Sequence, residues 1–191
     1  DLVMLQMEIP MAINEAVTSY AYEAGVPVML NSAPSAPISP EMLRKLTYIS
    51  PNEHEAADLT GITITKKDDV LDMETVKKAA SALLDKGVKN VIITLGSSGV
   101  AFMNKDEFIY KPCIDIVPVA DPTAAGDSFV GSFCTAVAEG KSYDEALDYA
   151  SYTATLTVSR MGAQPSLPTR REVEDLIETH KKQLHEERKA T

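Results

Sequence analysis

Two aspartates six positions apart, Asp121 and Asp127, bracket a run of small residues in the stretch Asp-Pro-Thr-Ala-Ala-Gly-Asp-Ser-Phe over 121–129. The side chains of Ala124, Ala125 and Gly126 are too small to block an approaching ligand. They stand where a helix is expected to begin, so successive backbone N–H groups can face an anion. Asp127 at the edge of such a hole cannot bind the anion, which it would repel. It can take the proton from a hydroxyl that attacks a phosphoryl group held there. The plainer reading is a turn begun by Asp-Pro and a helix start whose acidic residue favours the dipole. Neither the Walker phosphate loop nor the G-x-G-x-x-G fingerprint occurs in the chain, so the two commonest nucleotide-binding devices find no support.

The elements that must position these residues alternate along the chain. The apolar run 2–7 reads as a buried strand, and it starts at the first residues without an initiating methionine, which is expected of a chain cut from a longer one. Residues 14–24 carry helical spacing at Ala16, Val17, Tyr20, Ala21 and Ala24 and stop at Gly25; a strand follows over 26–30. Ser39-Pro40 opens a short helix through 46, a strand lies near 48–50, and residues 53–59 and 73–86 are helices ended by Gly61 and Gly87. Residues 91–95, mostly branched and apolar, form the clearest strand and suit a sheet covered on both faces. Residues 99–103 and 107–111 read as a hairpin around Asn104-Lys105-Asp106. Three helices are expected after that, over 125–139, 143–159 and 170–184, the last two opened by the capping boxes Ser142/Glu145 and Thr169/Glu172. The pattern is α/β with a doubly wound, mostly parallel sheet, one domain over 1–185 and a frayed polar tail over 186–191. Ligands of such sheets sit beyond the carboxyl ends of the strands, where Glu8, Asn31, Asn52, Gly96 and the 121–127 loop fall.

Composition narrows the partners. The 191 residues are 45% hydrophobic and 24% charged with a net charge of −10, which suits a folded core and argues against an extended nucleic-acid or membrane surface. No apolar run approaches the roughly 18 residues of a membrane span, and a cytoplasmic location is expected. Cys113 and Cys134 are too few for a disulfide framework and read as reduced core residues. His54, His180 and His185 read as solvated or core-edge residues.

The 121–129 stretch resembles the Asp-Thr-x-Gly/Ala-Ala-Gly-Asp-x-Phe signature of the ribokinase-like (PfkB) carbohydrate kinase family. The blocks Leu-Gln-Met-Glu-Ile-Pro (5–10), Leu-Asn-Ser-Ala-Pro-Ser (30–35), Ser-Pro-Asn-Glu-His-Glu-Ala-Ala-Asp-Leu-Thr-Gly (50–61), Val-Ile-Ile-Thr-Leu-Gly-Ser-Ser-Gly-Val (91–100) and Gly-Ala-Gln-Pro-Ser-Leu-Pro (162–168) follow in the order of that family's carboxyl-terminal two thirds. The resemblance implies a three-layer αβα fold without the amino-terminal strands and β-lid. It implies transfer of the γ-phosphoryl group of Mg·ATP to the primary 5-hydroxyl of D-ribose. Asp127 matches the catalytic base at the sugar, and Ala124, Ala125 and Gly126 match the anion hole. Asn52 and Glu55 match the Asn-x-x-Glu element that orients Mg2+ and phosphates through water, and Thr94, Gly96, Ser97 and Gly99 match the ATP loop. Ser151 takes an adenine-pocket position, and Glu8 matches an acid that contacts sugar hydroxyls. A monovalent cation, K+, is implied on the Asp121 carboxylate, the carbonyls of Thr123, Thr157, Arg160 and Gly162, and the Ser166 hydroxyl. The family's homodimer is implied only where the lid is present. Pro122 departs from the signature, where threonine is usual, and removes one hydroxyl and one N–H. Three other readings stay open: an adenine-nucleotide-binding module without turnover; a kinase of the same family for deoxyribose, a nucleoside or another sugar; and a pyridine-nucleotide dehydrogenase, which the missing Gly-rich fingerprint disfavours.

Overall fold

Val76, Ala79, Ala80 and Leu83 recur at helical spacing, and all four are buried against a sheet whose inward residues are Val28, Leu30, Ile49, Val91 and Ile93. This core organises the amino-terminal half of the molecule. The structure, a computed structural model, describes residues 1–68 and 70–190, and the chain parts into two compact units, Asp1–Cys113 and Ile114–Thr191.

In the first unit β1 (Val3–Gln6), α1 (Met11–Glu23), β2 (Val28–Asn31), α2 (Pro40–Lys45), β3 (Tyr48–Ser50) and α3 (Glu53–Thr60) alternate. A small hairpin of β4 (Lys66–Lys67) and β5 (Val70–Leu71) leads into α4 (Met73–Asp85), and β6 (Asn90–Thr94), β7 (Val100–Asn104) and β8 (Phe108–Lys111) complete it. One sheet holds six strands in the order β1-β2-β3-β6-β7-β8. The pairs β1-β2, β2-β3 and β3-β6 are parallel, because helices make those crossovers. β7 and β8 return antiparallel, through a turn in which Asn104 Oδ1 accepts from the Asp106 and Glu107 amides at 2.8 and 2.9 Å. Alternate residues of the central strands, Met29, Ile92 and Phe102, are fully buried too, which is why β6 reads as an unbroken apolar run. The α/β class with a mostly parallel sheet is as expected. The β4–β5 hairpin was not: its four residues Lys66, Lys67, Val70 and Leu71 carry no run long enough to signal a strand.

The second unit is helical: α5 (Ala125–Ala138), α6 (Tyr143–Val158) and α7 (Arg170–Ala190). Phe129, Val130, Phe133 and Cys134 of α5 and Ala146, Leu147 and Ala150 of α6 are buried. Both capping boxes form, with Ser142 N donating to Glu145 Oε2 at 3.0 Å and Thr169 N to Glu172 Oε2 at 2.7 Å. Where the sequence reading ends the last helix near Leu184, the structure carries it to Ala190. Glu178 and Lys182 pair at 2.6 Å one turn apart, and good helix formers follow them. Thr191 lies outside the described residues. One core assignment is corrected: Cys134 is buried, and burial pushes its thiol up to about 12, but Cys113 is exposed, two residues past the end of β8 where no core remains to enclose it.

Candidate active site

Ala124 is the helix-start residue of α5 and holds a left-handed backbone, φ 61° and ψ 9°. That conformation costs a β-carbon-bearing residue about 1–2 kcal/mol. A left-handed residue running directly into helical ones turns successive N–H groups toward one side, the backbone form of an anion-binding concavity. The Ala125 amide is tied to the Pro122 carbonyl at 3.2 Å, and the Ser128 amide to Ala124 O at 2.9 Å. The Gly126 amide lies between them in the first turn, where a helix offers no internal acceptor, and Gly126 is exposed. Asp127 follows, also exposed, and lines a cavity of about 440 Å³ with Ala124, Ser132, Thr153 and Gln164. Exposure and a cavity wall are what a base needs to meet a hydroxyl.

The Asp121 carboxylate binds this loop to the end of α6. Its Oδ1 accepts from the Thr123 amide and its Oδ2 from the Gly162 amide, both at 2.9 Å. Hydrogen bonds from Thr123, and then from the Gly162 amide, hold the carboxyl below the usual carboxylate range. The Ala120 and Asp121 amides reach the Val158 carbonyl at 2.7 and 3.1 Å. Asp121, Thr123 and Gly162 are thereby brought together beside the carboxyl end of α6, which carries Thr157. A carboxylate beside helix-end carbonyls is an oxygen donor set at the negative pole of a helix, and it fits a hard monovalent cation. Ser166 is fully buried, with its hydroxyl donating to Ala163 O at 2.6 Å. The Arg160 guanidinium turns to Glu172 at 2.6 Å, so its carbonyl is the group left for a ligand.

Glu172 carries a testable consequence. Bonds from the Thr169 amide, Arg160 and the Thr169 side chain hold its carboxyl at about 2 instead of the usual 4.5. A carboxyl depressed on folding stabilises above its unfolded value, and that stabilisation is lost as pH falls from about 4.5 toward about 2. Replacing Glu172 by glutamine is therefore expected to remove part of the acid-side fall in melting temperature, read by circular dichroism over that window. The pair is partly exposed, so the difference should shrink in high salt.

The first unit assembles a second group. Asn52 Oδ1 accepts from the His54 and Glu55 amides, both at 2.9 Å, while the Asn52 amide donates to Glu55 Oε2 at 3.0 Å. This capping box starts α3 and leaves Asn52 exposed and Glu55 buried at 7% exposure. Asn52 bridges to Thr94 at the end of β6. Beyond Thr94 the chain makes a single turn over Gly96–Ser98, closed by Leu95 N to Gly99 O at 2.8 Å and by Tyr110 Oη to Ser98 O at 2.6 Å. Gly96 and Gly99 have φ of +53° and +102°, and Ser97 is exposed. Asn52, Thr94, Gly96, Ser97 and Gly99 thus share the carboxyl edge of the sheet, where this class binds ligands. Glu8 lies exposed in the turn after β1, and Ser151 lies half-buried on α6 of the second unit.

The pfkB family carbohydrate kinase profile matches residues 3–170. The chain belongs to the pfkB family of carbohydrate kinases. It is 40% identical over 180 residues to the ribokinase of Haemophilus influenzae, covering 93% of this chain and 56% of that protein. It is 38% identical over 177 residues to the ribokinase of Schizosaccharomyces pombe, covering 91% and 54%. The structure of Arabidopsis thaliana ribokinase complexed with ribose and ATP matches with a TM-score of 0.85 at 38% identity, over 92% of this chain and 55% of that one. The chain spans about half the length of the curated relatives it matches.

Two features of this pfkB chain escape the signature. Pro122, where the signature has threonine, has no N–H or hydroxyl to donate; here the Asp121 carboxylate is bonded by the amides of Thr123 and Gly162, and Pro122 supplies a carbonyl to the Ala125 amide. Sequence reasoning also passed over Ser32, whose buried hydroxyl donates to Glu55 Oε2 at 3.1 Å. Ser32 stands in the 30–35 block, but nothing in that block points to a partner 23 residues away; the packing of β2 beside β3 reveals the pairing.

Proposed function

We propose that the protein is an ATP-dependent carbohydrate kinase that transfers the γ-phosphoryl group to the 5-hydroxyl of D-ribose, with residues 1–185 belonging to one domain. The observation that carries this reading is an exposed acid three residues beyond the left-handed helix start at Ala124, after a run of small residues, in a pfkB chain similar to ribokinases. Asp127 accepts the proton of the attacking hydroxyl, and the backbone of Ala124, Ala125 and Gly126 holds an oxygen of the moving phosphoryl group. Thr94, Gly96, Ser97 and Gly99, with Ser151, receive the nucleotide, and Glu8 accepts hydrogen bonds from sugar hydroxyls.

Asn52 and Glu55 would hold Mg2+ through water. Glu55 fits that task because, among the described residues, Oε1 accepts one bond, from Asn52 Nδ2 at 2.8 Å, and keeps a lone pair for a water. When bound, Mg2+ supplies neutralisation of phosphate charge. Asp121, Thr123, Thr157, Arg160, Gly162 and Ser166 would hold K+ and stiffen the loop that carries the anion hole. A net charge of −10 supports a small-molecule partner rather than nucleic acid or a membrane surface, and no described helix is long and apolar enough to cross a membrane. The working location is the cytoplasm. A family-type homodimer belongs to this reading only where the lid is present.

The test is ADP release by the purified protein with Mg·ATP, in K+ and again in Li+, against ribose, deoxyribose, nucleosides and hexoses. Ribose-dependent release that is faster in K+ is the expected result. Saturable binding of ADP with no sugar-dependent release would replace this reading with that of a nucleotide-binding module, and preference for deoxyribose or a nucleoside would move the substrate within the family.

A further inference from the structure

Glu55 is held by three bonds from two directions. Asn52, its neighbour across the first turn of α3, donates through its amide to Oε2 at 3.0 Å and through Nδ2 to Oε1 at 2.8 Å. The third bond comes from the loop after β2, where Ser32 Oγ reaches Oε2 at 3.1 Å. Ser32 is 1% exposed and Glu55 is 7% exposed, so water cannot easily stand in for either group. Both Asn52 bonds come from the carboxylate's own helix end. Among the described residues, only the bond from Ser32 ties the carboxylate to a part of the chain outside its own helix end. A buried carboxylate otherwise turns about its last torsion, which has broad, shallow wells.

The loop that carries Ser32 is itself fastened on both sides. Ala33 O accepts from the Met7 amide at 3.0 Å, one residue before Glu8. Ser35 Oγ donates to Asp58 Oδ2 at 2.7 Å, one turn beyond Glu55 on α3. Residues 32–35 thus form a strap from the end of β1 to α3, joining the place proposed for the sugar-contacting acid to the place proposed for the metal-orienting one.

We infer that Ser32 is a positioning residue, whose hydroxyl sets the plane of the Glu55 carboxylate and thereby the affinity for Mg2+ with nucleotide. The inference rests on the role given above to Glu55. Outer-shell partners of metal-orienting carboxylates typically contribute about 10–100-fold to metal affinity.

The experiment is calorimetric titration of ADP into the purified protein across a series of Mg2+ concentrations and in EDTA, for the wild type, Ser32→Ala and Ser35→Ala, each with a thermal melt. Ser32→Ala is expected to raise the Mg2+ concentration for half-maximal enhancement of ADP binding by roughly tenfold, with affinity in EDTA unchanged. Ser35→Ala, which loosens the same strap without touching Glu55, is expected to leave the Mg2+ requirement where it was. Equal Mg2+ requirements in Ser32→Ala and wild type would overturn the inference alone, and so would equal shifts in the two serine variants, since the strap's fastening would then be the cause. A wild type whose ADP affinity ignores Mg2+ would overturn the role of Glu55 first and the inference with it.

Discussion

Asp127→Asn is expected to lower sugar-dependent ADP release by roughly 10²–10⁴-fold, the range that a positioned general base contributes. The substitution keeps size and shape and removes the ability to accept a proton. Asp127 is exposed, in the first turn of α5, and it borders a cavity rather than the core. Its loss should therefore leave the melting temperature nearly unchanged, within about 0.5 kcal/mol of stability. Nucleotide affinity should hold or rise slightly, because a negative charge beside the anion hole has been removed. Near-normal turnover in the variant would show that the hydroxyl's proton goes elsewhere. A collapse of both turnover and melting temperature would make Asp127 a structural residue of the helix start.

Gly99→Ala should produce the largest loss of stability. Gly99 has φ of +102°, and a β-carbon there would stand 2.1 Å from the Lys111 carbonyl and 2.8 Å from the Cys113 amide. Both neighbours are backbone atoms at the end of β8 and cannot swing aside as a side chain would. The turn must open or the strand end must move, at a cost of about 3–5 kcal/mol. Gly96 supplies the internal comparison: its φ is +53°, and nothing lies within 4 Å of the place its β-carbon would take. Gly96→Ala should cost only the backbone term of about 1–2 kcal/mol. Urea unfolding followed by circular dichroism measures both, with m-values checked for constancy. Equal losses at the two positions would mean that the close approach of Lys111 is not rigid. Both residues also sit in the proposed nucleotide loop, so the stability ranking should be read on the protein without nucleotide.

Local chemistry made most of the elements legible. Asn52 and Glu55, Ser142 and Glu145, and Thr169 and Glu172 are pairs three apart whose side chains close on each other's backbone, and such signals need no tertiary partner. The turn at Asn104 is equally local, since one side chain replaces two backbone acceptors. Where distant residues decide, the reading fell short. Cys113 looked like a core cysteine by residue type, but two residues past β8 it faces solvent. The β4–β5 hairpin is too short for periodicity to register. The last helix runs past its expected end because Glu186, Glu187 and Lys189, good helix formers that an apolar pattern does not register, continue it.

By itself the sequence determined which residues could do the chemistry: an acid after three small residues, glycines after an apolar strand, and oxygen donors spaced along one loop and one helix end. These are properties of residue type and short spacing, which the chain carries before it folds. Tertiary structure alone decided that Ala124 adopts a left-handed backbone, that the Asp121 carboxylate accepts from Gly162, 41 residues away, and that Ser32 grips Glu55. The physical reason is that a hydrogen bond acts over about 3 Å whatever the distance along the chain. Only the packing of strands and helices can bring such partners within its reach.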